Sequence, residues 1–198
     1  MPLKIIQARV DHVDSVQRAI RAISPRGAFA GLSAARLHTS VPHPVYLLKL
    51  EDLAKGESVS SARRVGTRFL LVQDGKPVAA AELPEPAVAS AAARASQGNS
   101  PAQLNRGPFV QGTHAAIEHA ETLHEVRSND YELRLLRVPA LYLEALWLHS
   151  PQGADILIPV EPAPPELVAG QSYNPTELVG ALRSRAAQLA QFDSSPTS

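Results

Sequence analysis

The chain has 198 residues, 19 acidic and 19 basic side chains, and no cysteine. The missing thiols exclude disulfides, thiolate catalysis and every Cys-ligated zinc or iron–sulfur site, and an aromatic share of 5% leaves little for a platform that stacks bases or sugars. No run approaches the ~20 apolar residues of a membrane span, and Arg9, Asp11 and His12 interrupt the N-terminus where a signal peptide would be apolar, so the expectation is a soluble, cytoplasmic protein with no membrane association.

The zero net charge is unevenly spread. Residues 1–80 carry 12 Lys and Arg against 6 Asp and Glu, whereas residues 81–198 carry 7 against 13. Such a division fits a basic surface for an anionic partner, oppositely charged faces that dock in an assembly, or two halves that interleave in one fold.

In chain order, Leu3–Val10 reads as a first strand. A helix follows over Asp11–Ser24, because Val13, Val16, Ile20 and Ile23 recur on one face of a 3.6-residue period, and Ser24-Pro25-Arg26-Gly27 stops it. Residues 28–43 fit either a short helix or a loop. Val45–Leu50 reads as a strand, Glu51–Gly56 as one helical turn closing at glycine, and Glu57–Ala62 as a polar loop. Thr67–Val72 and Pro77–Leu83 flank Gln73-Asp74-Gly75-Lys76. Asp-Gly between apolar runs signals a hairpin, because the turn needs positive φ and these residues tolerate it.

The segment at about 84–108 is rich in Pro, Ala, Ser, Gly and Asn and reads as a surface excursion, with one Ala-rich helical piece over Ala87–Ala95. Thr113 caps a predicted helix over His114–Val126, packed through Ala116, Ile117, Ala120 and Leu123. Three strands follow, Tyr131–Val138, Leu141–Ser150 and Asp155–Val160. Pro139 marks a bulge or bend rather than a full reversal, and the odd positions of Leu141–His149 form the core face at period two. After a Pro-rich connector, Glu161–Leu167, the run Asn174-Pro175-Thr176-Glu177 opens a last helix over Pro175–Gln191, with an Asn cap and Pro at the first position. The expected fold is α+β: a mainly antiparallel sheet of about five or six strands with about two or three helices packed on it. It occupies residues 1–192 as a single domain, with a disordered tail over 193–198.

Chemistry-bearing residues are few. His114, His119 and His124 recur every five residues, which turns each about 140° from the last on a helix, so they cannot converge on a metal, and no metal is expected. His114, Glu118, Glu121 and Glu125 do share a helical face. His114, Glu118 and Glu121 could do acid–base work if that face lined a cleft, but a solvated face is the plainer reading. His149, at a strand end, is a further acid–base candidate, and it forms a candidate ligand pocket with Trp147. Arg18, Arg21, Arg63, Arg64 and Arg68 are the candidate contacts for an anion or nucleic acid, without aromatic interleaving. Glycine-rich phosphate loops and the G-x-S-x-G nucleophile elbow are missing, and no cofactor is expected.

The leading functional expectation is therefore a non-enzymatic protein-interaction or assembly module, with a protein partner or self-association. The alternatives are a small-molecule-binding domain or small enzyme with a pocket between sheet and helix, and nucleic-acid binding through the N-terminal arginines.

Overall fold

The computed structural model describes residues 3–23, 29–85 and 102–193. These form an α+β fold around one mainly antiparallel sheet. The strands are β1 (Leu3–Lys4), β2 (Leu37–Leu47), β3 (Arg63–Gln73), β4 (Lys76–Pro84), β5 (Gln103–Asn105), β6 (Tyr131–Val138), β7 (Leu143–His149) and β8 (Ile156–Pro159). Their order is β5-β4-β3-β2-β6-β7-β8, and β1 pairs with β6. All ladders are antiparallel except β1 with β6 and β2 with β6. The helices are α1 (Val10–Arg21), α2 (Leu50–Lys55), α3 (Pro108–Thr122), α4 (His124–Ser128) and α5 (Pro175–Asp193). The sheet thus has eight strands among the described residues rather than five or six, and five α-helices rather than two or three. Elements that the sequence reading did not expect, such as β5 and α4, are short and carry too few residues for a periodic pattern.

Side-chain alternation sorts the sheet into two faces. On one face, α1 covers Phe69, Leu71, Ala79 and Ala81, and α2 and α5 cover Leu136, Val138, Leu143, Ala145 and Trp147. On the other, α3 covers Leu70, Ala80, Leu133, Leu146 and Leu148. β7 is therefore buried on both sides from Leu143 to Leu148, so the expectation of a single core face at its odd positions is corrected. Helices on both faces of a sheet impose this on its inner strands.

Several local expectations hold. Asp74 and Gly75, at φ 52° and 76°, close the β3–β4 hairpin with a two-residue turn. Gly56, at φ 80°, ends α2. Asn174 and Glu177 cap α5 reciprocally, Glu177 N–H donating to Asn174 Oδ1 and Asn174 N–H to Glu177 Oε2.

Others are corrected. The long strand expected over Leu3–Val10 is only Leu3–Lys4. Residues 37–47 form one strand, although it contains Pro42 and Pro44. The prolines are tolerated because a register shift falls between Ser40 and His43, and pairing with β6 begins only at Val45. The helix expected from His114 starts at Pro108, with Gly107 as its cap, and breaks at Leu123. Thr113 lies inside it, buried, donating its hydroxyl to Phe109 O. Pro139–Leu141 forms a 3₁₀ turn, Tyr142 takes φ 54°, and β6 and β7 pair fully across it. Pro139 therefore marks a complete reversal. Of the excursion at about 84–108, residues 86–101, with Ala87–Ala95, lie outside the described residues, and Gln103–Asn105 forms β5. Residues 194–198 of the expected tail also lie outside them.

Candidate functional site

Two polar constellations are built into the sheet, one on each face. The first lies on the α1/α5 face at the end of β7. Antiparallel register sets Glu132 opposite His149 and Arg134 opposite Trp147. The Arg134 guanidinium is held by Glu132 at 3.0 and 3.1 Å and lies 5.1 Å from the Tyr46 ring and 5.0 Å from the Trp147 ring, a cation–π arrangement. Tyr46 and Trp147 meet edge to face at 5.1 Å, and His149 stands edge-on to Trp147 at 5.9 Å.

Asp155, just before β8, organises this group. Its carboxylate accepts Trp147 Nε1–H at 2.7 Å, the Ser150 backbone N–H at 3.0 Å and His149 Nδ1 at 3.0 Å. Because an ionised carboxylate only accepts, the neutral tautomer that this contact favours has its proton on Nδ1 and its lone pair on Nε2. Nε2 has no hydrogen-bond partner among the described residues, and the His149 side chain is 30% exposed. A cleft of about 720 Å³ is lined by Arg127–Tyr131 and Ser150–Ala154; His149 and Asp155 adjoin the second segment in sequence and are not among the lining residues.

The second constellation lies on the α3 face. Arg68 donates Nε–H to Glu82 at 2.7 Å and makes a two-pronged contact with Glu144 at 2.7 Å. Arg137 donates to the same two carboxylates at 2.8 to 3.2 Å. The four charges form a closed, neutral ring across β3, β4, β6 and β7. Burial pushes the Glu82 carboxyl up, but Arg137 and Arg68 outweigh it and hold Glu82 down at about 2. Burial likewise disfavours the Arg137 cation, and Glu82 and Glu144 raise its pKa above the usual value. Fully buried His43 sits opposite Arg68 in the β2–β3 register. Its Nδ1 donates to Val41 O at 2.7 Å, and its Nε2 has no partner among the described residues. Burial, and next Arg68, lower its pKa to about 4.

The residues singled out from sequence distribute as follows. Trp147 and His149 are adjacent in the first constellation. His114, Glu118 and Glu121 lie on the outer side of α3, with His114 and Glu118 3.4 Å apart, across the sheet from His149, so they share no pocket with it. Arg18 and Arg21 lie on the exposed side of α1, where Arg18 donates to Ser15 Oγ. Arg63 and Arg64 are exposed at the start of β3, Arg64 pairing with Glu85 at 2.8 Å. Arg68 is separated from them by burial inside the ion ring. Among the described residues no three His, Asp or Glu side chains converge to hold a metal.

Sequence reasoning missed Asp155, Arg134, Glu82, Arg137 and Glu144, and it reads His43 as a loop or surface histidine, whereas pairing of β2 with β3 buries it within the sheet. One signal was available: Glu82, Arg137 and Glu144 are charged residues inside apolar strand runs, where a charge needs a partner. No family model matches the chain, and neither a curated protein nor a solved structure matches it.

Proposed function

We propose that the chain is a small-molecule-binding domain whose working group is His149, which adjoins in sequence the Ser150–Ala154 part of the 127–131/150–154 cleft. The observation that carries this reading is the Asp155 carboxylate. By accepting three N–H groups it fixes the ring and directs the proton to Nδ1, leaving an exposed Nε2 as acceptor or base. The cleft volume falls within the ~300–1,000 Å³ typical of ligand sites. Its walls carry Arg127, Ser128, Asn129, Asp130 and Gln152, which suits a small polar molecule.

The interaction or assembly reading draws on the charge division of the chain. Among the described residues, the large apolar side chains that are exposed, Ile5, Val10, Tyr142, Val168 and Phe192, stand on separate segments rather than on one strand or helix face, which lends that reading less support than the organised His149 site.

A thermal-shift screen of polar metabolites against the wild type and His149→Ala tests the proposal. Stabilising compounds should act on the wild type and lose most of their effect on the variant. Compounds that stabilise both proteins equally would place binding elsewhere.

A further inference from the structure

His43 combines features that ordinary packing does not require. It is fully buried, its Nε2 lacks a partner among the described residues, and it faces Arg68, Glu82 and Glu144 of the ion ring. Its Nδ1–H holds the carbonyl of Val41, a β-branched residue at φ 47°, a conformation such residues rarely adopt. Val41 lies inside the register shift between Ser40 and His43, so the ring pins a strained bulge in the middle of the β2–β3 ladder.

We propose that His43 and the Val41 bulge form an acid-sensitive latch: protonation of Nε2 places a second cation against Arg68 in a buried site, and the β2–β3 ladder opens around the bulge to let the ring reach water. The groups facing the ring account for the direction. Arg68 on β3 repels an imidazolium. Glu82 on β4 and Glu144 on β7 attract one, but Arg68 and Arg137 already engage both carboxylates. α3 presents Val110, Ala116, Ile117 and Ala120 to this face and supplies no buried charge.

The sign follows from a folded-state pKa near 4 against 6.5 for the free side chain. The stabilising contribution of neutral His43 is complete above pH 6.5, falls as pH drops toward 4 and is flat below. Each unit of pH in that window removes up to about tenfold from the folding constant.

The test compares the full chain with His43→Asn, which retains an N–H for Val41 O but cannot titrate. Between pH 6.5 and 4.5 the wild type should lose up to about 100-fold in folding constant through this group, and the variant should show a correspondingly flatter profile. Parallel profiles would overturn the latch. Should the variant fail to fold, imidazole ¹⁵N spectra of the wild type decide: His43 should remain neutral and Nδ1-protonated at pH 5, and ordinary titration near 6.5 would refute the proposal. Hydrogen exchange, corrected for intrinsic rates, locates the opening. Acidification should release residues 39–45 and 66–71 ahead of α5, and uniform release along the chain would contradict it.

Discussion

Asp155 shows how much one carboxylate can organise: it ties an indole, an imidazole and a backbone amide into one rigid unit. Asp155→Asn leaves an amide with a single acceptor oxygen, so His149 should shift toward its Nε2–H tautomer, visible in imidazole ¹⁵N spectra. Stability should fall by about 1–3 kcal/mol in chemical denaturation, the cost of stranding a buried donor. Arg68 presents a larger effect. Its side chain is 5% exposed, and removing it leaves Glu144 buried with one arginine where it had two. Arg68→Met should destabilise by about 3–5 kcal/mol in urea melts, whereas Arg63→Met, on an exposed side chain, should change little. Glu82 adds a pH dependence distinct from that of His43. Its folded-state pKa of about 2 lies below the ordinary 4.5, so its contribution is present above pH 4.5 and is lost as pH falls toward 2. Glu82→Gln should remove that part of the acid-unfolding curve. None of these partnerships could be read from the chain, because Arg68 and Glu144 are brought together by sheet pairing and not by spacing. His149 and Trp147 could be read, since strand alternation puts positions two apart on one face.

At the scale of elements, the legible parts are those whose signal is local. Asp74-Gly75, Gly56 and the Asn174/Glu177 pair specify a turn, a helix stop and a helix start through their own backbone or side-chain chemistry. Asn174→Ala should cost about 1 kcal/mol. β2 was illegible over its first half. Its prolines and polar residues argue for a loop, and it is a strand only because β3 pairs along nearly its whole length. α3 was misplaced at its start because Thr113 offers a capping hydroxyl, which in the fold bonds back to Phe109 O within the helix. Gly66 marks another long-range requirement. A Cβ there would lie 2.5 Å from the Leu83 carbonyl oxygen of the neighbouring strand. Gly66→Ala should therefore push β3 and β4 apart and lower the thermal midpoint by several degrees; an unchanged midpoint would mean the ladder shifts freely.

For the whole molecule, the charge division of the sequence takes on a specific form. β2 and β3, from the basic half, stand at the centre of the sheet between β4 and β6. Arg68 and Arg64 find Glu82, Glu144 and Glu85 inside the same chain, so part of the asymmetry is spent on internal pairing. Arrangement in two helix-covered faces separates the two polar constellations, leaving the ion ring and His43 as a structural and pH-responsive centre and the His149 group as the proposed working site. The most direct test of that assignment is an amide and imidazole NMR titration of the full chain with the polar metabolites that stabilise it. Binding is predicted to shift residues 127–131 and 149–155 together with His149 Nε2, and to vanish in His149→Ala. Shifts confined to the outer side of α3 or to the α1 arginines, unchanged by that substitution, would contradict the account.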